Sequence, residues 1–163
     1  MAQAAQIPRT VAKGEGVTDL PSSGRMDGRT HVLPVRVYYE DTDFSGVVYH
    51  ANYLKFFERG RSDLLRLSGF SHRRMAAEAD PAAFVVTRIE IDFLRPARID
   101  DALVVETCVN RLRGPRIFFS QRLLRDGEPI CRAEVSAAAI HSDGRIRRPA
   151  AEEAAIWKRL LPE

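Results

Sequence analysis

Lysine is nearly missing from this chain of 163 residues: only Lys13, Lys55 and Lys158 stand among its 25 basic side chains. Cysteine is confined to Cys108 and Cys131, and no apolar run approaches the ~20 residues that a membrane helix needs. The two cysteines have no CxxC or Cys/His neighbourhood, which argues against a zinc site. Nor does the opening MAQAAQIPRTVAKGEG contain the apolar core of a signal peptide. The chain is therefore expected in the cytoplasm, with no integral membrane association and with both thiols reduced and buried. What is present is arginine. It gives a formal net charge of +3 and a pI of about 9.1. Arginine suits bidentate phosphate contacts, so a nucleic acid or a phosphorylated ligand is one reading and an ordinary solvated surface is the other. No helix shows a basic recognition face and no aromatic–basic interleaving occurs, so nucleic acid is not expected.

Residues 1–30 are rich in Ala, Gly, Ser and Pro without periodicity and read as a flexible tail, leaving 31–163 as a single domain. Met26 offers a second translation start just ahead of the first strand. Val35, Val37 and Tyr39 alternate with Arg36 and Tyr38, which predicts a strand over 33–39. From Asn52 to Ser68, residues Tyr53, Phe56, Phe57, Gly60, Leu64 and Leu67 fall at steps of three and four, one apolar helical stripe. Lys55, Glu58, Arg59, Arg61, Asp63 and Arg66 are expected on the other faces, with Arg59 and Asp63 four apart. Gly60 within the stripe points to close backbone contact with a sheet. A shorter helix near 71–78 follows. Four strands in meander come next, around Thr87–Phe93, Leu103–Val109, Ile117–Leu123 and Cys131–Ala139, and a short terminal helix over 150–161 ends the chain. One long helix laid on an antiparallel five-stranded sheet is an α+β design, and its edge strand favours a homo-oligomer.

The stretch YYEDTDFSGVVYHANY, Tyr38 to Tyr53, places three carboxylates in four positions between the first strand and the long helix. Gly46 lets the loop bend sharply. The helix start presents N–H groups near His50 to Asn52 with no intrahelical partner, able to stabilise a developing oxyanion. A carboxylate nearby can serve as base or nucleophile, which suits acyl transfer or hydrolysis. Two other readings stay open on local physics alone. Asp41, Thr42 or Asp43 could cap a turn beside a core His50, or Glu40, Asp41, Asp43 and His50 could bind a metal. Alternation along a strand and the absence of an i+4 partner for His50 weigh against the metal.

The segment VYYEDTDFSGVVYHANYLKFFERGRSDLLRLSGF, Val37 to Phe70, continuing through AFVVTRIEIDFLRPARIDD, resembles the YbgC-like acyl-CoA thioesterases of the 4-hydroxybenzoyl-CoA thioesterase group. The resemblance reaches about Arg148. Its D-x-D-x-x-G-x-V-Y-H-x-x-Y pattern implies a hotdog fold, a sheet wrapped around one central helix. It implies Asp43 as the catalytic nucleophile or general base and the His50 backbone N–H as the oxyanion donor. The His50 side chain would orient substrate or water. Tyr49, Gly46, Asn52 and Tyr53 would shape the substrate site, with Asp41 structural. The substrate would be an acyl-CoA, with Arg88, Arg95, Arg113 and Arg116 as candidates for the CoA phosphates. The resemblance further implies a dimer with sites at the subunit interface, or a pair of dimers forming a homotetramer. A thioester is already activated, so no cofactor and no metal is required. The alternatives are an interaction protein with weak thioesterase activity that binds acyl carrier protein or the Tol-Pal system, or a hotdog hydratase or dehydratase, which the Asp43 motif disfavours.

Overall fold

The structure, a computed structural model, describes residues 23–70, 72–77 and 81–162, and the rest of the expected tail lies outside the described residues. In chain order the elements are β1 (Arg25–Asp27), β2 (Thr30–Arg36), α1 (His50–Leu67), α2 (His72–Ala77), β3 (Ala82–Phe93), β4 (Ala102–Arg113), β5 (Arg116–Arg125), β6 (Glu128–His141) and α3 (Ala151–Leu160). The strands form one antiparallel sheet in the order β1-β2-β4-β5-β6-β3. Asp126 and Gly127 both take positive φ, 53° and 81°, which lets the expected Asp-Gly turn close the β5–β6 hairpin tightly.

Six strands replace the expected five. β1 lacks apolar alternation, so its sequence reads as tail. It is ordered instead by pairing with β2 and by Gly24, whose N–H donates to Asp63 Oδ2 at 2.7 Å. The ordered domain thus begins before residue 31. The first main strand also ends earlier than expected, because Tyr39–Asp41 turns into a single 3-10 turn.

The side chains of β4, β5 and β6 alternate. Leu103, Val105, Val109, Ile117, Phe119, Leu123, Ala133, Val135 and Ala137 are buried on one face. Against that face lie Tyr53, Phe56, Phe57 and Leu64 of α1. Each such buried ring or leucine contributes about 1.5–3 kcal/mol. Gly60 is where the helix touches the sheet. A Cβ there would stand 2.7 Å from Val105 Cγ1 and 2.8 Å from Thr107 Oγ1.

Two helix residues expected to be solvated are buried instead. Arg61 donates to Gln121 Oε1 at 2.7 Å, and Gln121 Nε2 in turn reaches Phe57 O and Thr107 Oγ1, both at 2.9 Å. Asp63 accepts from Gly24, Arg66 and, at 3.0 Å, faces His31 Nε2. The expected Arg59–Asp63 pair is therefore replaced, and the Arg59 guanidinium lies over the Phe56 ring at 5.6 Å. The sheet curls far enough around α1 to cover more than its apolar stripe. Leu67, at the end of the stripe, is exposed. The cysteines occupy β4 and β6 with β5 between them, and both are free thiols; Cys131 is buried as expected, but Cys108 is only half-buried, its Sγ 3.2 Å from Thr30 Oγ1. Burial pushes the Cys131 thiol up to about 12.

Candidate active site

The chain between β2 and α1 is folded onto itself by short hydrogen bonds. Asp43 N donates to Val47 O and Gly46 N donates to Asp43 O, both at 2.9 Å, and Gly46 sits at φ +76°. This is the bend that the glycine permits. Thr42 bridges Val48, and Val47 bridges Arg98 of the loop before β4. Val48 N donates to Ala97 O at 2.8 Å. The turn is thereby locked between the start of α1 and the 95–101 loop.

Within the turn the three acids separate by role. Asp41 is buried, and its Oδ2 accepts from Tyr38 N at 2.9 Å. Its backbone carbonyl accepts from Tyr49 N and from Asn52 Nδ2, both at 2.9 Å. Asp41 therefore fastens the loop to the first turn of α1. Glu40 is exposed on the 3-10 turn. Asp43 is exposed too, and its Oδ1 accepts from Ser45 N at 2.8 Å and from Ser45 Oγ. The Ser45 hydroxyl, then the Ser45 amide, hold its carboxyl below the usual carboxylate range, and His50 adds to the effect electrostatically. Among the described residues no three His, Cys, Asp or Glu side chains are grouped as metal ligands.

The start of α1 is left open. Tyr49 occupies the N-cap position and makes no side-chain cap bond, and the first turn carries no acidic residue. In α3, by contrast, Glu152 and Glu153 stand in the first turn, and Glu153 Oε2 accepts from Ala150 N at 2.8 Å. An N-terminus with neither cap nor acid keeps its free N–H groups and its positive dipole end for an external oxygen. Those groups belong to His50 and Ala51, since Asn52 N already donates to Tyr49 O at 2.8 Å. The His50 ring is exposed and lies 4.3 Å from the Tyr49 ring.

The structure thus brings Asp43, Gly46, Tyr49 and His50 together at one surface. Asn52 and Tyr53, expected to touch substrate, are buried with their polar atoms engaged. The Tyr53 hydroxyl accepts from Ala97 N at 3.0 Å, and burial pushes its ionisation up, against the pull of that hydrogen bond. Both residues hold the site from behind. The expected phosphate arginines do not converge. Arg98 bridges Val47 beside the Asp43 turn, and Arg95 N donates to Ile130 O at 3.1 Å in the same loop. Arg88 pairs with Glu90 at 3.0 Å along β3. Arg113 and Arg116 flank the β4–β5 turn at the opposite end of the sheet. No local signal in the sequence marks Arg98, because its place depends on the bridge to Val47.

An exposed carboxylate thus lies beside an uncapped helix start, on a sheet that packs against one long helix. Similarity to known proteins gives the family. Residues 45–132 match the thioesterase superfamily, a match that begins just past Asp43. The chain is 48% identical over 108 residues to the acyl-CoA thioesterase YbgC of Haemophilus influenzae, covering 66% of this chain and 79% of that one. The crystal structure of a probable thioesterase from Bartonella henselae superposes with a TM-score of 0.72 at 46% identity, covering 74% of this chain and 99% of the other. A DHNA-CoA thioesterase from Staphylococcus aureus, 20% identical, shares the fold with a TM-score of 0.75 over 80% of this chain and 90% of that one. The chain belongs to the thioesterase superfamily and has its hotdog fold. Within that superfamily it is a YbgC-like thioesterase.

Proposed function

We propose that the chain hydrolyses acyl-CoA thioesters to a free acid and CoA, with Asp43 delivering the attack and the open start of α1 holding the carbonyl oxygen. The acyl-CoA activity named for the Haemophilus influenzae relative supports the substrate class. The residue assignment rests on one observation: Asp43 is an exposed carboxylate, kept ionised by Ser45, on a turn hydrogen-bonded to Val47 in the segment that enters an uncapped helix. On one route its carboxylate attacks the thioester carbon and expels the thiolate, leaving an acyl anhydride that water cleaves. On the other it takes a proton from a water whose oxygen makes the attack. Both routes consume one water and release one acid and one thiol. In each, the negative charge gathers on the carbonyl oxygen, where the His50 and Ala51 N–H groups stabilise it without reorganising.

The homo-oligomer belongs to the same reading. β3 lies at an edge of the sheet, and Val86, Ile89 and Phe93 are exposed along it. Antiparallel pairing of two β3 edges about a twofold axis would place the start of α1 in one chain toward the far end of α1 in the other.

Thiol release from acyl-CoA by the wild type and by Asp43→Asn tests the assignment. Turnover by the variant close to wild type, with unchanged stability, would refute it. Single turnover in heavy-oxygen water labels the Asp43 carboxylate only on the nucleophilic route.

A further inference from the structure

Away from Asp43, a mostly apolar cavity of about 110 Å³ opens between α1 and β3, with Arg61, Ser62 and His72 as the polar part of its lining beside Glu58. Its floor is made by the buried Leu65, Phe119, Ala137 and Trp157, and the exposed Glu58 and Val86 stand at its mouth. Glu58 and Ser62 lie roughly 12 and 18 Å along the axis from His50, at 1.5 Å per residue. A carbonyl held at one chain's helix start is therefore far from that chain's own cavity. The mouth opens beside the unpaired β3 edge, and the twofold pairing described above turns it toward the catalytic end of the second copy.

We infer that this cavity takes the acyl group of a thioester held at the second copy's Asp43, and that Trp157 is the stop that sets how long that group can be. The inference rests on the acyl-CoA reading and deepens it. Trp157 is 1% exposed and is gripped by three phenylalanines. It stacks on Phe70 with ring centres 5.0 Å apart, and meets Phe84 at 5.9 Å and Phe119 at 6.1 Å edge-on. Its Nε1 is buried with no hydrogen-bond partner among the described residues. A buried N–H with nothing to receive it is unfavourable, and a phenylalanine would avoid that penalty. The position therefore uses the size and shape of the indole rather than its polarity. The start of α3 is itself tied down. Arg147 meets Glu153 at 2.7 Å, and Arg147 N donates to Ala139 O at 2.8 Å. Trp157 lies outside the stretch 45–132 that matches the superfamily.

Trp157→Phe removes one ring without removing a hydrogen bond, and Trp157→Leu opens the floor further. Wild type and variants are compared on straight-chain acyl-CoA thioesters from butanoyl to dodecanoyl, read by thiol release. For the first lengths that the wild type rejects, kcat/KM relative to that for butanoyl-CoA rises about fourfold or more per methylene newly admitted. The same length limit in both variants, or one uniform scaling at all lengths, overturns the inference. Because Trp157 is the chain's single tryptophan, its emission gives a readout independent of turnover. Non-hydrolysable S-alkyl-CoA thioethers shift it increasingly with length up to the same limit. An emission unmoved by chain lengths that are hydrolysed places the acyl group elsewhere and overturns the inference too. Wild type that releases thiol from no member of the series defeats the acyl-CoA reading instead, and the thioether titration still decides whether the cavity takes the chain.

Discussion

Among the described residues, two of the places that bring a carboxylate and a histidine together behave oppositely. At the first, His31 Nε2 stands 3.0 Å from Asp63 Oδ2, with His31 fully buried and Asp63 5% exposed. Taken by geometry alone this looks like an acid–base pair. Yet Asp63 is also saturated by Gly24 N and Arg66, and no substrate can reach it. At the second, Asp43 and His50 are exposed, and the helix beside them is uncapped. A buried, fully bonded carboxylate stabilises, because removing any member leaves a desolvated partner. An exposed carboxylate next to unfilled N–H groups can do chemistry, because its free lone pairs and the helix dipole await a ligand. On the function proposed above, reactivity would follow what is left unsatisfied at the surface rather than how close two titratable groups lie.

The contrast can be broken by substitution. Asp43→Asn should lower kcat by about 10³-fold, within the range of acid–base effects, and change stability by less than ~0.5 kcal/mol, as an exposed site allows. Steady-state thiol release and thermal unfolding measure both. Asp63→Ala should do the reverse. It should destabilise by about 2–4 kcal/mol in urea titrations, through the lost bonds to Gly24, His31 and Arg66, while turnover per folded molecule is kept. Gly60→Ala should cost about 1–3 kcal/mol by crowding Val105 and Thr107, in spite of alanine's better helix propensity. A neutral or stabilising result would mean that the helix can lift from the sheet. Ser45→Ala is the subtlest. Ser45 holds the Asp43 pKa low, so the wild type keeps its carboxylate ionised to lower pH. Without the hydroxyl that pKa rises, and the acid limb of kcat/KM moves to higher pH with the neutral plateau unchanged.

These regions were unequally legible in the sequence. The α1 stripe and the strand alternation follow from periodicity, so the α+β layout could be read directly. Gly60 pointed correctly to a close approach, because a glycine inside an apolar stripe has few other uses. The choice of Asp43 over Asp41 came from the motif, since the loop's hydrogen bonds form only once Val47, Val48 and Tyr49 have folded back. Arg61 and Asp63 were misplaced on the surface. The partners that make their burial tolerable, Gln121 and His31, lie 60 and 32 residues away, beyond any local pattern. β1 escaped for the same reason, since three residues without alternation are ordered only by β2 and by Gly24's bond to Asp63. The cavity over Trp157 is made by residues from Glu58 in α1 to Trp157 in α3, far apart in the chain, and leaves no local trace at all.

The sheet's two margins have a consequence for growth. One ends on β1, three residues long; the other ends on β3, twelve residues long and bulged between Val86 and Arg88. Endless stacking of copies would require the long margin of each chain to add to the short margin of the next, and β1 offers too few backbone groups to continue a twelve-residue ladder. Pairing of long margin with long margin, as proposed above, would consume both at once. If two β3 margins pair as proposed above, that dimer would leave no long open margin, so β3 would not seed a fibre.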